Sequence, residues 1–312
     1  ALAPEALKGV QYCLVALGRE EEALQIVETY TETNPTSPFA PEFMKKKIEF
    51  LYQAKRFKDA ASEYENFIQK YPENDRNDEA LFWMGKSYAN LNDVDKAVDA
   101  FHRLQKRYPK SSFAPDSWLE LGLLYKQIGR IDMADSSFSK LRQQYPTDLM
   151  TAQANFELAS IKYGIGDTVA AVDIFRETAI KFSNTEFADT SLYHLAMYYR
   201  FKGMNDSARM AFTVLASKIQ NPKLSAEAQY RIGELWLTDG DFTAAEQAFL
   251  SVCERFSGIE DCFSLALLSL GECYEHLQKP DQAEEVYKYI MSLRPDDDFG
   301  KTAKYRLKEL KK

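Results

Sequence analysis

Residues 116–146 read DSWLELGLLYKQIGRIDMADSSFSKLRQQYP. Apolar residues recur three and four positions apart on both sides of Gly129, and this spacing places them on one face of each of two helices. Glycine tolerates the left-handed conformation that ends a helix, and Pro146 blocks continuation of the second one. The stretch therefore predicts two antiparallel helices joined by a tight turn.

The same pattern recurs along the 312-residue chain with a period of 37 residues. Anchor alanines mark the second helix of each unit, with one interval of 38 residues before the last: Ala23, Ala60, Ala97, Ala134, Ala171, Ala208, Ala245 and Ala283. A bulky residue follows most anchors by four positions, as Phe138 follows Ala134. The period predicts eight helical hairpins.

Two further columns fit this interpretation. A small residue lies in the first helix, twelve positions before most anchors: Gly85, Gly122, Ala159, Ala196, Gly233 and Gly271. A turn residue lies five positions before most anchors: Gly18, Asn92, Gly129, Gly166, Gly203 and Gly240. The first column predicts close approach of the two helices of a hairpin, and the second predicts a left-handed helix end.

The pattern Trp118-x2-Leu121-Gly122-x2-Tyr125, followed by Ala134-x3-Phe138 and Pro146, resembles the tetratricopeptide repeat (TPR) signature. The resemblance extends over residues 4–296. It implies an all-α, right-handed superhelical solenoid of eight helix-turn-helix TPR units in residues 1–296. Repeat two departs from the pattern, with Lys47 and Ile48 in place of the Leu-Gly pair, and repeats five to seven lack the closing proline.

Residues 297–312 are expected to form a C-terminal capping helix. Asp296, Asp297 and Asp298 favour a helix N-terminus, and Leu307 and Leu310 supply a thin apolar stripe. The basic residues are expected on a solvated face: Lys301, Lys304, Arg306, Lys308, Lys311 and Lys312.

The charge balance limits the partners. A net charge of -8 leaves no basic excess for nucleic acid or anionic lipid, and no apolar run is long enough to span a bilayer. Residues 1–18 lack the basic start of a signal peptide. Because repeat one has no polar cap, we expect the chain to be a segment of a longer protein or to meet a partner there. A lipid anchor outside the segment and self-association through repeat one stay open.

The sequence offers little for catalysis. His102, His194 and His276 lie in different repeats without a metal-binding pair, and no nucleotide-binding or nucleophile motif occurs. Cys273 and His276, one helical turn apart with Cys262 near, suggest a metal site only weakly. Cys13 and Cys273 occupy a position where other repeats have core residues such as Leu124, Ile161 or Leu235, which predicts that both are buried. A bridge from Cys253 to Cys262 or Cys273 would need an oxidising compartment. We expect no enzymatic activity, no cofactor and no metal.

The TPR resemblance implies that first helices line a concave groove, through the residues three before, one after and four after the small position. The groove predicted to bind a peptide or protein segment comprises Leu119, Leu123, Lys126, Phe156, Tyr163, Tyr193, Met197, Arg200 and Tyr230. Repeats seven and eight carry acidic residues at some of these positions. The alternative is that the aromatic residues three positions before the small residue pack between neighbouring hairpins as part of the core.

The leading functional hypothesis is a non-catalytic protein-protein interaction scaffold. The 37-residue repeats, with Tyr-Pro endings, are similar to bacterial envelope members of the family, namely the lipoprotein of the outer-membrane β-barrel assembly machine and the Tol-Pal coordinator. This similarity implies the periplasm or the periplasmic face of the outer membrane, with the cytoplasm as the alternative. An accessory TPR segment of a longer enzyme or regulator, and a self-association module, are the alternative functions.

Overall fold

A computed structural model describes residues 4–218 and 220–311. Within these ranges the backbone forms seventeen α-helices and no strand. Their bounds are α1 Pro4–Ala16, α2 Glu20–Thr33, α3 Ala40–Gln53, α4 Phe57–Lys70, α5 Asn77–Asn90, α6 Val94–Arg107, α7 Phe113–Gln127, α8 Ile131–Gln144, α9 Leu149–Gly164, α10 Thr168–Lys181, α11 Glu186–Phe201, α12 Asn205–Ala216, α13 Pro222–Thr238, α14 Phe242–Arg255, α15 Glu260–His276, α16 Pro280–Leu293 and α17 Asp298–Leu310. The predicted class is confirmed, with eight helical hairpins followed by one further helix. Residues 1–3 of the amino-terminal segment lie outside the described residues.

The chain divides into two compact units, residues 1–158 and 159–312. The division falls within α9, so the first unit contains α1 to α8 and most of α9, and the second contains the end of α9 and α10 to α17. In both units the contacts run mainly between helices that follow each other in the chain, such as α5 with α6 and α13 with α14. This is the packing expected of consecutive hairpins.

The small residue of the first helix lies under an aromatic ring of the second. A Cβ on Gly122 would lie 2.3 Å from a ring carbon of Phe138, and one on Gly233 would lie 2.4 Å from a ring carbon of Phe249. Non-bonded carbons need roughly 3.5 to 4 Å, so only glycine leaves room for these buried rings. The same arrangement pairs Gly85 with Phe101 and Gly271 with Tyr287. The predicted close approach is confirmed in these four hairpins.

Each hairpin turn contains one residue in the left-handed backbone region. The five predicted glycines have φ angles from 69° to 88°, and Asn92 has 56°. Lys55 (φ 59°) and Gln278 (φ 57°) take the same conformation in the two other hairpins, although the sequence did not single them out. A residue with a Cβ is strained there by roughly 1 to 2 kcal/mol.

Replacing Lys55 by Gly is therefore expected to raise the free energy of unfolding by about 0.5 to 1 kcal/mol, because the relief of strain exceeds the added entropy of glycine in the unfolded chain. Denaturant titration followed by circular dichroism measures the change. Ala54→Gly is the matched control, since Ala54 has a φ of −72° and glycine there only adds unfolded-state entropy. Equal effects of the two substitutions would contradict the strain argument.

Repeat two forms its first helix despite its departure from the pattern. Ile48 is fully buried, and Lys47 is buried beside it. The ammonium group of Lys47 lies 2.6 Å from a carboxylate oxygen of Glu28 and 3.0 Å from one of Glu63. Burial by itself lowers the pKa of Lys47, but hydrogen bonds to the two carboxylates more than offset burial and raise it. Charge pairing with α2 and α4 thus accommodates the lysine.

The last helix, α17, covers the end of the second unit. The Asp297 carboxylate accepts hydrogen bonds from the backbone N–H groups of Phe299 and Gly300, which confirms the acidic N-terminus. Ala303 is fully buried, and Leu307 and Leu310 pack against the same core as α15 and α16. These contacts place α17 against the core that α15 and α16 form, and its role as a capping helix stays a prediction.

On the predicted solvated face of α17, Lys301, Lys304, Lys308 and Lys311 are exposed, whereas Arg306 is partly buried. Arg306 lies 3.7 Å from Glu272 and 3.6 Å from Glu275, because the helix packs with this residue toward α15. Lys311 lies 2.9 Å from Glu284 of α16. Lys312 lies outside the described residues.

Candidate functional site

The predicted groove residues of the first unit are unequally exposed. Leu119 is buried in α7, whereas Leu123 and Phe156 are partly exposed. Lys126 is exposed, and its ammonium group lies 2.5 Å from a carboxylate oxygen of Glu157 in α9. This face therefore presents two partly exposed apolar side chains and a lysine that is already paired.

In the second unit, the aromatic groove residues contact their own hairpin and the next one. The Tyr193 ring lies 5.8 Å from that of Phe212, and its hydroxyl donates to Glu227 at 2.5 Å. Burial and this hydrogen bond raise the pKa of Tyr193. The Tyr230 ring packs on Phe249, with 5.5 Å between the ring centroids. Both tyrosines thus contribute to the packing of the helices.

Arg200, the basic groove residue of the second unit, is paired as Lys126 is. Its guanidinium lies 3.6 Å from a carboxylate oxygen of Glu234 in α13. Comparable pairs join successive first helices in the first unit: Lys45 with Glu79 at 2.6 Å and Lys86 with Glu120 at 2.5 Å. Partly exposed pairs of this kind contribute roughly 0 to 1 kcal/mol each. A ligand carboxylate that approached Arg200 or Lys126 would have to compete with an internal one.

A cleft of about 550 Å³ opens in the second unit between α9, α10 and α11. Ser160 of α9 occupies the repeat position that Lys86 has in repeat three, and Tyr163 occupies the position that Lys126 has in repeat four. Neither side chain carries a charge. Val169 and Val172 of α10 and Met197, Tyr198 and Phe201 of α11 supply most of the other walls. The result is a largely apolar depression bordered by side chains with high exposure.

His194 and Lys202 are the basic side chains of this cleft. The His194 ring lies parallel to that of Phe175, with 5.1 Å between their centroids, and burial lowers the pKa of His194. Burial therefore favours the neutral form of His194. The Lys202 ammonium lies 5.8 Å from the ring centroids of both Tyr198 and Phe201. Lys202 consequently supplies the positive charge at the cleft.

The cleft brings together only part of the predicted groove. Tyr163 and Met197 line it, whereas Tyr193, Arg200 and Tyr230 do not. Sequence reasoning missed Val169 and Phe201. The sequence does contain a signal for these two residues, because each is a large apolar residue close to a turn glycine, Gly166 or Gly203.

The histidines and cysteines do not assemble into a chemical site. In the described part of the chain, no group of three or more His, Cys, Asp or Glu residues is placed to hold a metal ion. His276 stacks on Phe242 at 4.2 Å, and His102 contacts Gln105. Cysteine nucleophiles require the thiolate, and burial raises the pKa of Cys253 and Cys262 to about 11.

The burial predicted for the two equivalent cysteines holds for one of them. Cys273 is fully buried, and burial raises its pKa to about 12. Cys13 is exposed, so its predicted core position was wrong. Leu124 and Leu235 are buried at this repeat position, with a preceding hairpin in the chain.

These features define an α-helical tandem-repeat protein built of two-helix units. Family models described as tetratricopeptide repeat match residues 79–111, 116–148, 193–258 and 266–299. Together these matches cover more than half of the sequence, and the chain belongs to the tetratricopeptide repeat family. Proteins of this family are generally interaction modules with protein partners. Among the helices of the described ranges, none is both long and apolar enough to cross a membrane.

A solved structure agrees with this fold. The C-terminal part of a TPR repeat-containing protein from Cytophaga hutchinsonii matches with a TM-score of 0.59 and 14% identity, covering 83% of this chain and 98% of that one. A tetratricopeptide repeat protein from Parabacteroides merdae matches with a TM-score of 0.48 and 16% identity, covering 85% and 98%. At 14% identity the Cytophaga match shows the fold alone, and the Parabacteroides match is a weaker similarity. A search of curated proteins found no match.

Proposed function

We propose that this chain is a non-catalytic scaffold that binds a peptide or protein segment on the face that the first helices form within each unit. Leu123 in the first unit and Met197 in the second provide partly exposed apolar contacts on that face. The observation that carries the proposal is this unfilled apolar surface on helices whose opposite sides are packed. A face held by packed hairpins binds without having to become ordered first, which favours affinity.

The scaffold is proposed to act in a bacterial envelope complex, in the periplasm or at the periplasmic face of the outer membrane. The support is the 37-residue repeat and its Tyr-Pro endings. The cytoplasm is the alternative compartment, and an accessory segment of a longer enzyme or regulator is the alternative function. Sequencing the full-length gene discriminates between them, because a lipidated signal peptide supports the first and an appended catalytic domain the second.

The binding face is tested by replacing Leu123, Met197 and Arg200 with Ala, singly and together. Partners captured from extracts of the source organism by the immobilised chain are identified and their affinities measured. The triple variant is expected to bind at least tenfold more weakly, while its circular dichroism spectrum stays unchanged. Ile180→Ala is the control, since Ile180 is 71% exposed on a second helix. Unchanged affinity of the triple variant would remove this face from the proposal.

Self-association through repeat one is the second candidate. Tyr12 and Leu17 are 77% and 69% exposed on and next to α1, and such apolar side chains favour an interface. Light scattering over a concentration series tests it. A monomer at every concentration excludes it.

A further inference from the structure

The apolar cleft of the second unit opens at the end of the hairpins where the helices turn. Tyr163 lies in the last turn of α9, Val169 in the first turn of α10, and Phe201 is the last residue of α11. Their exposed fractions are 60%, 72% and 84%. Ile165 and Met204, in the two adjacent turns, are 65% and 48% exposed. Exposed apolar side chains are therefore frequent at this turn end, and of the predicted groove residues only Tyr163 and Met197 line the cleft.

The eight repeats of the chain provide an internal comparison for Val169. Two positions before the anchor alanine, the seven other repeats carry a polar or charged residue: Glu21, Lys58, Asp95, Asp132, Asp206, Thr243 and Asp281. An acidic residue in the first turn of a helix is stabilising, so Val169 forgoes a favourable charge and exposes an apolar side chain instead. Hairpin stability does not explain this residue.

Phe201 departs from the other repeats in the same way. Five positions after the small residue of the first helix, the six other repeats that follow repeat one have polar residues or glycine: Gln53, Asn90, Gln127, Gly164, Thr238 and His276. The fold therefore does not require a large ring at this position. Val169 and Phe201 thus occupy two different repeat positions that are mostly polar elsewhere in the chain, and both side chains line the same cleft.

The charge at this turn end has changed as well. Six positions before the anchor, Lys202 replaces residues that are apolar in six of the other seven repeats: Leu17, Ala54, Leu91, Ile128, Ile165 and Leu277. Within residues 4–218 and 220–311, Lys202 forms no ion pair with a carboxylate; its ammonium lies over the Tyr198 and Phe201 rings.

No carboxylate is among the described residues that line the cleft. Asp167 accepts a hydrogen bond from the Ala170 N–H group, and Asp206 pairs with Arg209. Lys202 is thus the available charge at an apolar cleft.

We propose that this turn-end cleft docks a partner segment in which a large apolar side chain is followed or preceded by a carboxylate. The apolar side chain enters between Val169, Tyr163 and Phe201, and the carboxylate pairs with Lys202. The proposal rests on the proposed role in protein binding and names the chemistry of the partner. A neutral His194 fits the apolar part of such a ligand.

The test is selection from a random dodecapeptide phage library against the immobilised chain, followed by affinity measurements on the selected peptides. The expected peptides share a Phe, Leu, Ile or Trp next to an Asp or Glu. Val169→Asp and Phe201→Ser are each expected to weaken their binding at least tenfold. Lys202→Gln is expected to weaken it about threefold and to reduce its dependence on salt. The controls are Ile180→Ser, an equally exposed apolar position, and Lys304→Gln on α17.

Val169→Asp keeps the test independent of folding, because it restores the residue type that most repeats carry. Selected peptides without an acidic residue, or no selected peptide, would overturn the inference. Peptides that lose affinity with Leu123→Ala or Tyr230→Ala but not with Phe201→Ser would overturn it while leaving the groove proposal intact. Concentration-dependent dimerisation that Phe201→Ser abolishes would identify a second copy of the chain as the occupant instead.

Discussion

Gly122→Ala is expected to lower the free energy of unfolding by about 1 to 3 kcal/mol, the usual cost of inserting volume into a packed core. The added methyl group would lie 2.3 Å from a ring carbon of Phe138, whose side chain has no exposed surface. The ring must therefore move against neighbouring core residues. Denaturant unfolding of the purified chain measures the loss.

Gly164→Ala is the matched control. Gly164 is also helical, at the end of α9, and a Cβ there meets no atom within 4 Å. Alanine is the better helix former, so this variant is expected to be as stable as the natural chain or up to about 1 kcal/mol more stable. A loss at Gly164 that equals the loss at Gly122 would show that the ring contact is not the cause.

A double substitution isolates the contact further. Phe138→Leu by itself removes ring volume and lowers stability. Combined with Gly122→Ala, it provides room for the new methyl group, so the two losses are expected to be less than additive by about 1 kcal/mol. Additive losses would contradict the packing argument.

Two hairpins carry alanine at this position, Ala159 and Ala196. In repeat five, the Phe175 ring that follows Ala159 lies parallel to His194 of the next hairpin. In repeat four, by contrast, the ring of Phe138 lies directly over Gly122, and the expected cost depends on that position.

The sequence predicted the fold well because its signals are local and repeated eight times. Gly122 and Phe138 are sixteen residues apart in one hairpin, and a glycine facing a large ring predicts the close packing of the two helices. Lys55 and Gln278 could not be identified as left-handed residues, since neither residue type favours that conformation. Only the regular position of the turn, set by the helices on both sides, imposes it on them.

The site was less predictable because it depends on contacts between repeats. The partner of Lys126 is Glu157, thirty-one residues further on, and which side chains meet at that separation is determined by how one hairpin packs on the next. The cleft has the same origin. Val169 and Phe201 belong to different hairpins, and nothing in either hairpin alone indicates that they line one depression.

Gly300→Ala is expected to detach the capping helix. A Cβ on Gly300 would lie 1.9 Å from the backbone carbonyl oxygen of Arg294 and 2.9 Å from its carbonyl carbon. This carbonyl belongs to a backbone segment held on both sides, because the Arg294 side chain pairs with Asp297 and with Asp261 at 3.3 Å. Unlike a ring, a backbone group cannot rotate out of the way, so the first turn of α17 must move.

Displacement of α17 removes the contacts of Ala303, Leu307 and Leu310 with the last core and separates Arg306 from α15. The expected loss is about 2 to 4 kcal/mol, comparable to that of large-to-small core substitutions, and it is confined to the end of the array because repeats contact mainly their neighbours. Hydrogen exchange should show full loss of amide protection in α17, partial loss in α15 and α16, and none in the first unit. Thr302→Ala, at an exposed position of the same helix, should leave protection unchanged. Retained protection of α17 in Gly300→Ala would mean that its apolar stripe alone holds the helix. The close approach of Gly300 to Arg294 would then not contribute to the stability of α17.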